Sequence, residues 1–240
     1  MIKNIAIIGS SGALGGAFTK QLSRNYPEAT IHAFSRKLID HSELNITPKV
    51  IDYHNEASIS SAATHCSQIG SIDMVIVATG ILHQGENLLP EKSLRALSAS
   101  NFETLFAVNT IVPAMVAKHF LPLLNRKNKA VFAVLSARAG SIADNQMGGW
   151  YAYRASKAAL NMVLKNAAIE TGRRNRNAIL VGLYPGTVDS ALSKPFQRNI
   201  PAGKLFTPEF SVNQMLSLIQ KMSPDDSGKF FDWDGQEVAP

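Results

Sequence analysis

The sequence predicts an α/β fold: one domain over residues 1–240, a doubly wound parallel sheet of about seven strands with helices on both faces. Three observations predict it. Short β-branched, apolar runs alternate with longer stretches of helical periodicity. Runs such as 73–78 and 130–135 are apolar at successive positions, as parallel strands covered on both sides should be. No Pro/Gly/Ser-rich linker and no internal repeat divides the chain.

The elements follow in order. A strand at 3–8 runs into a glycine-rich turn and a helix at 14–25. Strands at 30–34 and 48–52 precede a helix at 56–68, and a strand at 72–78 precedes a long helix at 101–124. The remainder reads as strand 129–135, helix 152–171, strand 178–184, helix 208–222 and strand 229–233. In such sheets ligands bind beyond the carboxyl ends of the strands, where the strand order reverses.

Composition excludes several classes. A hydrophobic content of 45% suits a buried core, and 18% charged residues are too few for a disordered chain. The net charge of +6 gathers partly at Arg126–Lys129 and Arg173–Arg176, each following a predicted helix, where cations favour the C-terminus. No aromatic residue interrupts either run, so both read as solvated turns rather than a nucleic-acid surface. Cys66, the single cysteine, reads as a small apolar helix residue, and the six histidines lack metal-ligand spacing. His32, His54 and His83 sit near predicted strand ends. The N-terminus reads directly as a strand, without the apolar segment and cleavage site of a signal peptide, and no apolar run reaches the length of a membrane span. A cytoplasmic enzyme without membrane or nucleic-acid partners is the simplest expectation.

Two local patterns carry chemistry. Gly9-Ser10-Ser11-Gly12-Ala13-Leu14-Gly15-Gly16 follows the first strand and opens the first helix. Gly9 permits the tight turn, Gly12 the approach of a pyrophosphate, and Gly15 close helix–strand packing. The helix N-terminus then offers N–H groups and a positive dipole end to phosphates, which makes the fold Rossmann-like. The second strand ends at Ser35-Arg36-Lys37, where an NAD site would carry an acid for the ribose hydroxyls. A hydroxyl and a cation there suit a 2′-phosphate, so NADP is expected over NAD. The second pattern is Tyr153 and Lys157, four apart on one helix face. A nearby ammonium is expected to lower the phenol pKa and let it exchange protons with an alcohol or carbonyl.

Tyr-x-x-x-Lys is common by chance, and the surrounding text decides its reading. Gly148-Gly149-Trp150 precedes Tyr153-Arg154-Ala155-Ser156-Lys157-Ala158-Ala159-Leu160-Asn161; Phe106-Ala107-Val108-Asn109 and Pro185-Gly186-Thr187-Val188-Asp189-Ser190 lie elsewhere. Over essentially its whole length the chain resembles the short-chain dehydrogenase/reductase family, and within it the C-factor-like and Sniffer-like carbonyl reductases. The resemblance implies adenine contact at Asp52, and cofactor contact at Ala78, Thr79 and Gly80. It implies the same for Asn109, Tyr153, Lys157, Pro185, Gly186 and Val188, with Ser190 on the nicotinamide amide. It also implies a homo-oligomer.

Asn109 has a physical reading as well. Pro113, four residues on, has no N–H for the Asn109 carbonyl, so a local kink should free that carbonyl for a water bonded to Lys157. One position departs from the family pattern. The resemblance implies a catalytic serine three residues before Gly140, where this chain has Ala137. Ser136 is the nearest substitute, Ser141 another, and a site without this hydroxyl a third. The expected function is NADPH-dependent interconversion of a carbonyl and an alcohol on a small apolar or aromatic substrate. Tyr153, Lys157, Asn109 and Ser136 would be catalytic. A stretch at 187–206 would roof the pocket, with Trp150 and Tyr151 as aromatic walls. The alternative is a regulatory dinucleotide-binding protein with little turnover.

Overall fold

Seven parallel strands form the central sheet of the computed structural model, which describes residues 2–41 and 43–240, Asn199 by its backbone alone. The strands are β1 (Asn4–Ile8), β2 (Thr30–Ser35), β3 (Ile46–Val50), β4 (Met74–Val77), β5 (Ala130–Leu135), β6 (Ala178–Tyr184) and β9 (Phe230–Asp232). Their order is β3-β2-β1-β4-β5-β6-β9, so the reversal lies between β1 and β4. A separate two-stranded sheet, β7 (Thr187–Val188) with β8 (Leu205–Phe206), sits in the stretch the sequence reads only as a roof.

The helices are α1 (Ala13–Asn25), α2 (Glu56–Ser67), α3 (Ala99–Phe106), α4 (Val112–Phe120), α5 (Tyr151–Gly172) and α6 (Pro208–Lys221). They divide between the two faces because the strands alternate. Phe132 and Val134 of β5 pack with Ile59 of α2, Val116 of α4 and Leu160 of α5. Val131 and Ala133 pack with Phe18 and Leu22 of α1 and with Met215 of α6. Doubly buried strands need apolar residues at every position, which is why these runs read as continuous.

Two boundaries correct the sequence reading. The third strand starts and stops two residues early, leaving Asp52 in the following turn; Pro48 is tolerated within it because β3 is an edge strand. The long helix is not uniform. Residues Ala107–Ile111 form a π-helical turn between α3 and α4, in which the Val112 N–H donates to the Ala107 carbonyl. The proline ring and its missing N–H disfavour regular α bonding here, and the chain answers with a wider turn rather than a break. The helical run Ala99–Leu123 averages apolar enough to match a membrane span by composition, while its Val112, Val116 and Phe120 pack into the core. His32 lies within β2 rather than at a strand end, its ring edge-on to His65 of α2, and burial lowers its pKa to about 4.

Candidate active site

In a parallel sheet every strand ends at the same edge, so the segments after β1, β2, β4, β5 and β6 are brought together there. Gly9 adopts φ +97°, and a Cβ on it would stand 3.0 Å from the carbonyl of Ala78 after β4. Gly15 is tighter still: a Cβ would stand 2.0 Å from the Gly9 carbonyl oxygen. These contacts let α1 start directly above the β1 end. Gly12 is its N-cap and gives no side-chain hydrogen bond, so no side chain caps the first-turn N–H groups. The Thr79 hydroxyl is buried with no partner among the described residues. An uncapped helix start over a glycine cradle, with an orphaned hydroxyl across from it, fits the pyrophosphate of a dinucleotide.

The other residues expected at the cofactor are placed less uniformly. Ser10 is buried and its hydroxyl donates to the Phe34 carbonyl at 3.1 Å, which ties the turn to β2; Ser11 is exposed, and Leu14 packs beside the second core face. Ser35 donates its hydroxyl to the Lys37 carbonyl, leaving Arg36 exposed. Asp52 is exposed, accepting from the His54 N–H at 2.9 Å. Gly186 has φ +70°, with Phe206 and Trp233 against it, and Ser211 holds the Pro185 carbonyl at 2.7 Å. Val188 is buried, and the Ser190 hydroxyl donates to its carbonyl at 3.3 Å.

Tyr153 and Lys157 stand one turn apart on α5, both nearly inaccessible. Gly140 lets α5 approach: a Cβ there would be 2.7 Å from that of Lys157. The ammonium donates to the Leu135 carbonyl at the end of β5 at 3.0 Å. It also lies 3.5 Å from the point where a Gly80 Cβ would stand, and Asn109 Oδ1 is 3.6 Å from the same point. The expected depression of the phenol is not what this geometry yields. Burial pushes Tyr153 up to about 12 and Lys157 down to about 8, because both charged forms lose solvation.

Asn109, fully buried, uses its side chain as a staple. Its amide accepts from the Ile81 N–H at 2.9 Å and donates to the Ile81 carbonyl at 2.9 Å and to Ser156 Oγ at 3.1 Å. Ser156 Oγ in turn donates to the Tyr153 carbonyl at 2.7 Å. The loop after β4 is thereby locked to the helix bearing Tyr153. Sequence spacing could locate Asn109 but not this partnership, which spans 28 residues.

The serine question receives a definite geometry. Ser136 Oγ donates to Asn161 Oδ1 at 2.8 Å, and Asn161 Nδ2 donates to the Tyr184 hydroxyl at 3.1 Å. Ser141 Oγ donates to the Ala239 carbonyl at 2.5 Å and accepts from the Asp144 N–H at 3.1 Å. Ala137 is the residue that packs with the Tyr153 cluster. The two residues follow the end of β5 and meet different parts of one helix: Ser136 turns to Asn161, further along α5, and Ala137 to the cluster that contains Tyr153. Ser136→Ala is therefore expected to cost about 1 kcal/mol of stability through Asn161, with kcat unchanged. Denaturant melts and steady-state rates on one preparation would show this, and a rate loss of about a hundredfold would return Ser136 to the chemistry.

Two residues escaped the sequence reading. Glu91 is buried; its carboxylate accepts from the Ala152 N–H at 3.2 Å and its carbonyl from the Trp150 N–H at 2.6 Å, capping α5. Tyr53 donates to the Phe34 carbonyl at 3.4 Å below the glycine turn, and burial holds its phenol near 12. Neither carries a local signal, since both partners are distant in sequence. Of the expected roof, Phe196 reaches the site: its ring lies 5.0 Å from that of Trp150, which lies 6.2 Å from that of Tyr153. Leu192 and Leu205 are exposed, and Phe206 packs on Phe210 and Trp233.

A family model described as short chain dehydrogenase matches residues 3–201. The C-signal of Myxococcus xanthus is 38% identical over 133 residues, which is 55% of this chain and 75% of that protein. Carbonyl reductase Sniffer of D. melanogaster superposes with a TM-score of 0.85 at 24% identity, over 100% of both chains. The NADPH-bound carbonyl reductase from chicken fatty liver gives 0.85 at 21% identity, over 100% of this chain and 94% of that one. The two superpositions speak to fold; the family match, running from the first strand through the loop after β6, speaks to descent. The chain belongs to the short-chain dehydrogenases, NAD(P)-dependent oxidoreductases that interconvert CH–OH and C=O.

Proposed function

We propose that the protein is an NADPH-dependent carbonyl reductase in which Tyr153 is the proton donor. The observation that carries this reading is the buried Tyr153–Lys157 pair beside Gly80, across the strand-order reversal from the uncapped start of α1. NADPH bound there supplies the hydride for the carbonyl carbon. The Tyr153 hydroxyl donates its proton to the carbonyl oxygen; burial keeps that proton in place throughout the neutral range. The Lys157 ammonium stabilises the phenolate left behind and holds a ribose hydroxyl. The Asn109 carbonyl, which Pro113 cannot donate to, positions a relay water. Trp150 and Phe196 favour an apolar or aromatic substrate.

Preference for NADP rests on Arg36, the exposed cation after β2, with no acid in the Ser35-Arg36-Lys37 run. Arg36→Ala is expected to raise the NADPH Kd by roughly 10–100-fold, the loss of a charge-assisted bond, and to leave NADH binding unchanged. Fluorescence titration with both cofactors reads this directly; equal losses for both would refute the 2′-phosphate assignment. The function itself is tested by NADPH consumption with a panel of aldehydes, ketones and α-dicarbonyls. Tight NADPH binding without consumption of any of them would instead favour a regulatory dinucleotide-binding protein.

A further inference from the structure

Resting on the carbonyl-reductase reading, the surroundings of Tyr153 define its substrate more narrowly. Tyr153 belongs to a cluster with Leu82, Leu88 and Leu105, against which Ala137, Trp150 and Phe196 pack. Ala137 is extended (φ −151°, ψ 144°) at the exit of β5, and its side chain is a methyl. The hydroxyls on either side are engaged elsewhere, Ser136 on Asn161 and Ser141 on Ala239. His83 meets Phe196 with ring centroids 5.7 Å apart and contacts the Ala191 carbonyl at 3.2 Å, so its ring is directed to the roof.

The wall opposite is held firmly. Gly148, Gly149 and Trp150 have φ of +63°, +64° and +51°, and Trp150 is the one non-glycine residue with positive φ among those described. A bulky residue accepts that conformation only where its surroundings impose it. Here its N–H is bonded to the Glu91 carbonyl at 2.6 Å and its ring is fixed between Tyr153 and Phe196. The result is a rigid aromatic face beside a single proton donor.

We propose that Ala137 leaves Tyr153 as the sole side-chain hydrogen-bond donor at the reacting oxygen, and that the site therefore selects flat carbonyl compounds already activated by electron withdrawal, electron-poor aromatic aldehydes and α-dicarbonyls. The carbonyl carbon takes the hydride, its π electrons pass to oxygen, and oxygen takes the Tyr153 proton; NADPH becomes NADP⁺ and the product is the alcohol. Negative charge builds on that oxygen. A second donor would stabilise it on any carbonyl; with one, the substrate must carry part of the charge itself.

The test is a Hammett series of para-substituted benzaldehydes and acetophenones, with phenylglyoxal, run on wild type, Ala137→Ser and Ala137→Gly. Wild type is expected to show kcat/KM rising steeply with electron withdrawal, and plain acetophenone reduced at least about 100-fold more slowly than phenylglyoxal, on the scale of one missing donor. Ala137→Ser should raise the acetophenone rate by about tenfold or more, up to the ~10²–10³ that one donor is worth, and flatten the slope. Ala137→Gly, which adds no donor, should keep the slope steep, so it separates the hydroxyl from the space it occupies. A flat wild-type series would overturn the proposal and leave the carbonyl-reductase reading standing. So would an unchanged slope in a folded Ala137→Ser protein. No turnover across the whole series, with NADPH bound, would overturn both.

Discussion

Tyr153→Phe is expected to lower kcat/KM for carbonyl reduction by about 10²–10⁴-fold, the range for loss of a positioned general acid, while NADPH binding and the melting temperature stay close to wild type. The ring is part of a buried apolar cluster with Leu82, Leu88 and Leu105, so phenylalanine preserves its packing. The pH profile separates the two members of the pair. Burial raises Tyr153 to about 12, so the donor stays protonated across any ordinary assay range. Burial lowers Lys157 to about 8, so its positive charge is present below that pH and lost as pH rises through it. Reduction should therefore hold level on the acid side and fall above about pH 8, with the slope of one proton. Lys157→Arg keeps a cation at every assayed pH and should abolish that fall, at whatever residual rate it retains. A wild-type profile that stays level to pH 10 would show that the Lys157 charge is not required.

Gly15→Ala is expected to destroy both the cradle and part of the fold. Its Cβ would stand 2.0 Å from the Gly9 carbonyl oxygen and 2.8 Å from the Gly9 carbonyl carbon, and backbone cannot step aside as a flexible side chain can. The start of α1 must move off the end of β1, at a cost of about 1–3 kcal/mol, or roughly 2–12 °C in Tm for a chain of this size. NADPH binding should fall below detection, because the first-turn N–H groups move with the helix. Gly12→Ala is the informative contrast. Its φ is −74° and the nearest atom to a new Cβ is 3.5 Å away, so the fold should tolerate it. The methyl nevertheless projects at the N-cap, where a pyrophosphate would approach, and should weaken binding at nearly unchanged Tm. Titration and thermal melts on the two variants test the division; a Gly15→Ala protein that melts and binds like wild type would show that the contact relaxes freely.

Much of the site was legible because its parts are local. The β1 turn needs glycine at fixed offsets, and a Tyr and a Lys four apart must share a helix face. Pro113 marks its own disturbance, since the missing N–H acts on the carbonyl four residues earlier; only the form of the disturbance, a π-helical turn at Ala107–Ile111, was not foreseen. Legibility failed where a property depends on what arrives from elsewhere in the chain. The phenol of Tyr153 is raised rather than lowered because leucines from the β4 loop and α3 remove its water, while the Lys157 ammonium is bonded to the Leu135 carbonyl. Glu91 caps α5 from 61 residues away, and no pattern within either segment announces it.

The division between sequence and fold is sharpest at Ser136 and Ala137. The amino-acid order alone established the α/β class, the glycine-rich turn after β1, the Tyr153–Lys157 spacing and the fact that an alanine stands where a serine was expected. These follow from period, spacing and residue type, which act over a few residues. It left three candidates for the missing hydroxyl, because one residue of register turns a side chain to the other face of a sheet. Packing separates the candidates: Asn161 holds the Ser136 hydroxyl, the Ala239 carbonyl holds that of Ser141, and Ala137 packs against the cluster that contains Tyr153. Which way a strand end turns is set by the helices on either side of it, and those contacts exist only once the chain has closed around them.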